Sequence, residues 1–174
     1  GYILLDQFSN PANAEAHFNA TGPELLAAAG HFDAFVAGVG TGGTLTGTGR
    51  RLRERLPSVG LYAVEPAESP LLSGGKAGPH AIQGIGANFV PALLDRSLLN
   101  DVLPVSGETA LYTARRLMRE EGISCGISSG ANVAAALKLA ASADFRGKRI
   151  VTVLPDTGER YLSTPLFTQG DTPA

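Results

Sequence analysis

Five short apolar runs punctuate the chain: Tyr2–Leu5, Phe32–Val39, Leu61–Val64, Val102–Val105 and Ile150–Leu154. Each has strand length, and none alternates apolar with polar residues, the pattern of strands covered on both faces in a parallel sheet. Helical stretches lie between them. Asn10-Pro11 reads as an N-cap followed by proline at the first helical position. Thr21–Ala29 reads as a short helix stopped by Gly30, and a further helix spans Thr44 to Leu56. Ser106 caps a helix running to Glu121 and closed by Gly122, and Gly130–Ala141 is a helix rich in Ala and Leu. Phe167–Ala174 reads as a loose polar tail. The alternation predicts an α/β fold with an open, mainly parallel sheet and helices on both faces. One stretch resists this scheme. Glu65–Asp101 lacks periodicity and contains Ser73-Gly74-Gly75 and Gln83-Gly84-Ile85-Gly86, so it reads as a binding loop or lid.

Composition narrows the functional classes. With 44% hydrophobic residues, 17% charged residues and a net charge of −2, the chain suits a packed core and gives no electrostatic reason to bind nucleic acid. Trp is absent, which removes a main stacking platform for bases. No apolar run approaches a membrane span. A single cysteine excludes an internal disulfide and fits a reducing, cytoplasmic setting. The three histidines, at 17, 31 and 80, show no metal-ligand spacing. Glycine is in excess, 22 of 174, which directs attention to tight turns and close backbone approaches.

The densest glycine cluster is Gly38-Val39-Gly40-Thr41-Gly42-Gly43-Thr44, after a strand and before a helix. Amides at a helix N-terminus bind phosphate, and Thr41 and Thr44 add hydroxyls. Gly38–Gly43 also satisfies G-x-G-x-x-G, with Glu65 at the end of the next strand, so a dinucleotide site competes with a simpler phosphate site. A second candidate is Gly126-Ile127-Ser128-Ser129-Gly130, where a serine serves either as an N-cap or as a ligand contact. In an open parallel sheet, ligands sit beyond the carboxyl ends of the strands. The Gly40 loop, the segment after Val64 and Pro155-Asp156-Thr157-Gly158 are expected at that edge, with Ser128 joining them if its loop points the same way. Cys125 reads as a small buried residue, and Arg50, Arg51, Arg53 and Arg55 as the solvated side of a helix whose Leu52 and Leu56 face the core.

Together GVGTGGTLTG, GPHAIQGIGANFVP, EEGISCGISSGAN and LPDTGERYLSTPLF resemble the O-acetylserine sulfhydrylase (cysteine synthase) family of pyridoxal phosphate enzymes, and QFSNPAN at Gln7–Asn13 resembles the same family. The likeness covers about Tyr2–Phe167 and corresponds to the C-terminal part of the family's sequence. It implies that Gly40, Thr41, Gly42, Gly43 and Thr44 cup the 5′-phosphate of pyridoxal phosphate, which favours that cofactor over a dinucleotide. It implies that Ser128 hydrogen-bonds the pyridine nitrogen, although spacing alone does not separate Ser128 from Ser129. Gln7 resembles a residue of the substrate-carboxylate site, and Gln83, Gly84, Ile85 and Gly86 the loop at the active-site mouth. By the same likeness, residues 1–9 end a preceding domain, 10–167 form the cofactor-binding domain and 168–174 a tail.

The implied reaction is β-replacement, in which O-acetylserine loses acetate and sulfide adds to give cysteine. The whole protein is then expected to be a homodimer, with the C-terminal tail of serine acetyltransferase as a possible partner. The family's cofactor-bearing lysine has no match here. Lys76, Lys138 and Lys148 lack its context, so no catalytic residue is assigned and the chain alone is expected to be inactive. Two alternatives stand beside this reading: a non-catalytic module that recruits a partner, and a cystathionine β-synthase-like enzyme.

Overall fold

A computed structural model describes residues 1–169. Four parallel strands form one sheet: β1 (Ala34–Gly38), β2 (Gly60–Pro66), β3 (Asp101–Val105) and β4 (Ile150–Thr152), in the order β3-β2-β1-β4. Ala34 lies opposite both Gly60 and Ile150, and Tyr62 opposite Asp101. The helices are α1 (Ala12–Ala16), α2 (Gly22–Ala29), α3 (Gly43–Arg55), α4 (Gly107–Glu120), α5 (Ile127–Ala140) and α6 (Pro165–Thr168). A π-helical turn, His17–Thr21, joins α1 to α2.

The strands are apolar throughout because each face has its own cover. Val36, Val64 and Leu103 point to one side, against Ala110 and Ala114 of α4 and Ile127, Ala131 and Ala135 of α5. Phe35, Ala37, Leu61 and Ala63 point to the other, against Leu45 and Leu52 of α3 and Leu25 and Leu26 of α2. Burial on both faces is what removed the polar alternation from the sequence.

Three expectations need correction. Tyr2–Leu5 forms no strand, and its residues are 76–108% exposed. The run has strand composition, but among the described residues no neighbouring strand supplies hydrogen-bond partners. The helix expected from Gly130 starts three residues earlier, with Gly126 as its N-cap and Gly130 N–H bonded to Gly126 O at 3.2 Å. Gly130 is a contact point within that helix rather than its boundary. A Cβ there would lie 2.1 Å from Ala110 O, so α4 and α5 cross backbone to backbone. Of the expected tail, Phe167 and Thr168 belong to α6, and residues 170–174 lie outside the described part. Other boundaries shift by one or two residues, within the usual fraying of element ends.

Candidate functional site

The chain leaves β1 to form α3 on one face. It returns as β2 and then β3 on one side of β1, and, after α4 and α5 have covered the opposite face, as β4 on the other side. Connections therefore diverge beside the carboxyl end of β1, the kind of crevice where open α/β sheets hold ligands. The residues there are bound tightly to one another. A Cβ on Gly38 would lie 2.7 Å from Ile85 Cγ2 and 3.1 Å from Asn132 Oδ1. Asn132 Nδ2 donates to Val153 O, just past β4, at 2.9 Å. Gly86 N–H donates to Val39 O at 3.0 Å, and a Cβ on Gly40 would stand 2.4 Å from Gly84 O. The Gly40 loop, the Gln83–Gly86 loop and the start of α5 thus form one contiguous surface.

Gly42 is the N-cap of α3 with φ +84°, a left-handed conformation that glycine adopts without strain. The first intrahelical bond runs from Thr46 N–H to Gly42 O at 3.0 Å, leaving the Thr44 and Leu45 amides without acceptors in the helix. No acidic residue occupies the first turn. Thr41 Oγ1 accepts from Asn13 Nδ2 at 3.0 Å and from Gly43 N–H at 3.3 Å. Both of its lone pairs are then used, and its own proton is left to donate elsewhere. Thr44 Oγ1 is 3.1 Å from His17 Nε2. Amides, a donor hydroxyl and the positive end of a helix dipole together suit an anion such as a phosphate ester.

Ser128 and Ser129 lie in the first turn of α5, buried to 3% and 0% exposure. They are therefore not N-caps, which is a role filled by Gly126 with no side-chain cap. The hydroxyl of Ser128 is 3.8 Å from a Cβ placed on Gly84, so it borders the mouth loop. Ser129 Oγ is buried without a partner. The turn expected at this edge is also present: Gly126 N–H donates to Asp156 O at 3.2 Å, Cys125 bridges Thr157, and Tyr161 Oη donates to Asp156. Burial, with that carboxylate beside it, pushes the Tyr161 phenol up to about 12. Cys125 is 1% exposed and its thiol is raised by burial and then by Asp156, an inert setting for sulfur.

The other expected residues are placed as follows. Gln83 and Gly84 are exposed, whereas the Ile85 side chain is buried beneath Gly38. Gln7 is exposed, and its carbonyl accepts from Asn13 Nδ2 at 2.8 Å, which ties it to the Thr41 loop. Glu65 is 2% exposed and accepts from the backbone N–H of Leu72 at 2.7 Å and of Ser73 at 3.0 Å. Its carboxylate is committed to folding the long connection, which removes the acid a ribose would need. Lys76, Lys138 and Lys148 are all exposed. Lys138 is in the last turn of α5, away from the end where Ser128 stands, and Lys148 lies over the ring of Phe145, just before β4. Of the arginines, Arg50 and Arg55 are exposed while Arg51 and Arg53 are half-buried; Arg50 pairs with Asp95 at 2.9 Å and Arg51 with Glu54 at 2.8 Å. Among the described residues no cluster of metal-ligating side chains occurs, and no helix is long and apolar enough to cross a membrane.

Sequence reasoning missed Asn13 and His17. They stand four residues apart and reach Thr41 and Thr44, bracing the loop from outside. Their i, i+4 spacing was the available signal.

Known proteins resemble this arrangement closely. Residues 1–156 match the family model described as pyridoxal-phosphate dependent enzyme. Cysteine synthase A of Escherichia coli K12 is 54% identical over 95% of the chain, and cysteine synthase of Staphylococcus aureus Mu50 is 50% identical over 98%. The chain spans 54% and 56% of these relatives' lengths. A crystal structure of O-acetyl serine sulfhydrylase isoform 3 from Entamoeba histolytica superposes with a TM-score of 0.95 at 42% identity, covering 99% of this chain and 52% of that one. The chain belongs to the pyridoxal-phosphate dependent enzyme family.

Proposed function

We propose that the protein carrying this chain is a cysteine synthase, replacing the acetate of O-acetylserine with sulfide. One observation carries the reading: two helices without side-chain caps, α3 and α5, begin beside one another at the switch point of the sheet. In this reading the amides of Gly40–Thr44 and the hydroxyls of Thr41 and Thr44 hold the 5′-phosphate of pyridoxal phosphate. The bound cofactor supplies the electron sink that lets a β-substituent depart. Ser128 donates its hydroxyl proton to the pyridine nitrogen, a neutral partner that leaves that nitrogen without a full proton and favours prompt loss of acetate. Gln7 and the exposed Gln83-Gly84 edge face the substrate, while buried Ile85 anchors that edge. In this reading the amine that carries the cofactor is none of the three exposed lysines of this chain, which lack the context of the family's cofactor-bearing lysine.

Residues 10–167 are the cofactor-binding domain in this reading. A buried single thiol suits a cytoplasmic enzyme, and family likeness supports a homodimer with serine acetyltransferase as partner. The test is to titrate the purified chain with pyridoxal phosphate, reduce with borohydride and assay cysteine formation from O-acetylserine and sulfide. Reversible binding, competition by inorganic phosphate, no stoichiometric lysine label and no cysteine are expected. Cysteine formation is expected once the chain is joined to the lysine-bearing half of the family fold. A stoichiometric label on Lys76, Lys138 or Lys148 overturns the assignment of the amine. Binding that survives Gly42→Val overturns the cup.

A further inference from the structure

The contact between His17 and Thr44 carries more than packing. His17 opens the π-helical turn His17–Thr21, and irregular turns of this kind inside helices gather at functional sites. Both ring nitrogens face hydroxyls, Nδ1 at 2.8 Å from Thr21 Oγ1 and Nε2 at 3.1 Å from Thr44 Oγ1. Burial lowers the imidazole below its ordinary value, which favours the neutral ring with one donor nitrogen and one acceptor nitrogen.

Two tautomers satisfy these contacts, with opposite consequences. If Nδ1 carries the proton, Nε2 must accept from Thr44, and the Thr44 hydroxyl proton is spent inside the protein. If Nε2 carries it, Thr21 donates to Nδ1, the ring donates to Thr44, and the Thr44 proton is released toward the loop. The neighbouring brace shows which arrangement suits an anion. Asn13 Nδ2 can only donate, and by donating to Thr41 it leaves the Thr41 proton outward.

We propose that His17 is a positioning residue of the same kind: it donates Nε2–H to Thr44 Oγ1 and thereby turns the Thr44 hydroxyl proton toward the bound phosphate. The inference rests on the phosphate-cup reading and adds to it the residue that sets a donor's direction. Asn13 and His17 then form a pair on one helical face, each filling a threonine lone pair so that two hydroxyl donors converge on the anion.

The test uses pyridoxal phosphate as the probe and dissociation constants as the readout. His17→Phe is expected to weaken binding about tenfold, the scale of one hydrogen bond to a charged group. His17→Gln places an amide donor near the Nε2 position and is expected to restore affinity to within about threefold, whereas His17→Asn reaches only the Nδ1 position and behaves like Phe. Thr44→Val combined with His17→Phe should bind no worse than Thr44→Val alone, because the two act through one proton. Nitrogen-15 spectra of the His17 ring with cofactor bound should show the Nε2–H tautomer, and this measurement needs no variant. Unchanged affinity in His17→Phe, losses that multiply in the double variant, or an Nδ1–H ring in the complex overturns the proposal. Binding that depends on Gly42 and Thr44 but not on His17 overturns this inference alone; binding indifferent to Gly42→Val overturns the cup with it.

Discussion

Helices α4 and α3 begin at the same edge of the sheet and are finished in opposite ways. At α4, Ser106 Oγ accepts from Thr109 N–H at 3.1 Å, Glu68 Oε1 accepts from Gly107 N–H at 2.7 Å, and Glu108 sits in the first turn. Its amides and its dipole are satisfied from within the protein. At α3 the cap is a left-handed glycine with no side chain to offer, and the first turn carries no acid. Among the described residues the one side-chain acceptor there is Thr41, through a long bond from Gly43 N–H at 3.3 Å. A helix start optimised for stability has nothing left to give a ligand. A helix start left unfinished is costly to the fold and available for binding.

The largest test of that contrast is Gly42→Val. The new side chain would meet Leu94 atoms at 2.8–2.9 Å in a conformation β-branched residues avoid. We expect a loss on the order of 3 kcal/mol in denaturant unfolding, together with abolished pyridoxal phosphate binding. A gentler variant, Thr41→Asp, converts the α3 start to the α4 type. Its carboxylate should satisfy the dipole and leave stability level or raised by about 0.5 kcal/mol. It should weaken phosphate binding at least about tenfold by like-charge repulsion; unchanged affinity in a titration would refute the contrast. The reciprocal change, Ser106→Ala, should cost about 1 kcal/mol in thermal or urea unfolding and leave cofactor affinity unaltered.

The smallest effect concerns Asp95, whose backbone N–H donates to Thr46 Oγ1 in the first turn of α3 and whose carboxylate pairs with Arg50 a turn further on. The hydrogen bond from Ser97, followed by that from Arg50, holds its carboxyl below the ordinary value. A depressed folded value means stability that is complete above the unfolded carboxylate range and lost as pH falls through the folded value. Wild type should therefore exceed Asp95→Asn at pH 6 by under about 1 kcal/mol, since the pair is partly solvated, and the advantage should vanish in strong acid. Urea midpoints between pH 6 and 2 measure it. Cofactor affinity at neutral pH should not respond.

These contrasts show which parts of the molecule the sequence made legible. The central strands were readable because burial on both faces leaves a local signature, an apolar run such as Phe35–Ala37. Tyr2–Leu5 carries the same signature without a neighbour to pair with, and pairing is not a local property. The glycine loop was readable because a strand, a turn and a helix follow in succession. Ser128 was expected at the edge only if its loop pointed there, and it stands beside the Gly84 loop, but Gly130 misled the helix boundary. Its lack of a Cβ answers to Ala110 on another helix, which no local propensity records. Asn13 and His17 escaped notice for a related reason. Their partners lie 28 and 27 residues further along the chain, and only the crossing of α1 over α3 brings them together.

The backbone contact between Gly40 and Gly84 has a consequence for how such a protein changes over generations. No side chain separates the two loops: a Cβ on Gly40 would strike Gly84 O at 2.4 Å, and Gly84 is held at φ +91°, where other residues are strained. The Gly86-to-Val39 hydrogen bond fixes their register. Drift at the mouth is therefore confined to residues such as Gln83, whose side chain is exposed, while Gly40 is held by contact and Gly84 by its backbone conformation. New substrate preferences on this scaffold should arise by exchanging one exposed side chain, with insertions into the 83–86 loop screened out by the cup they would break.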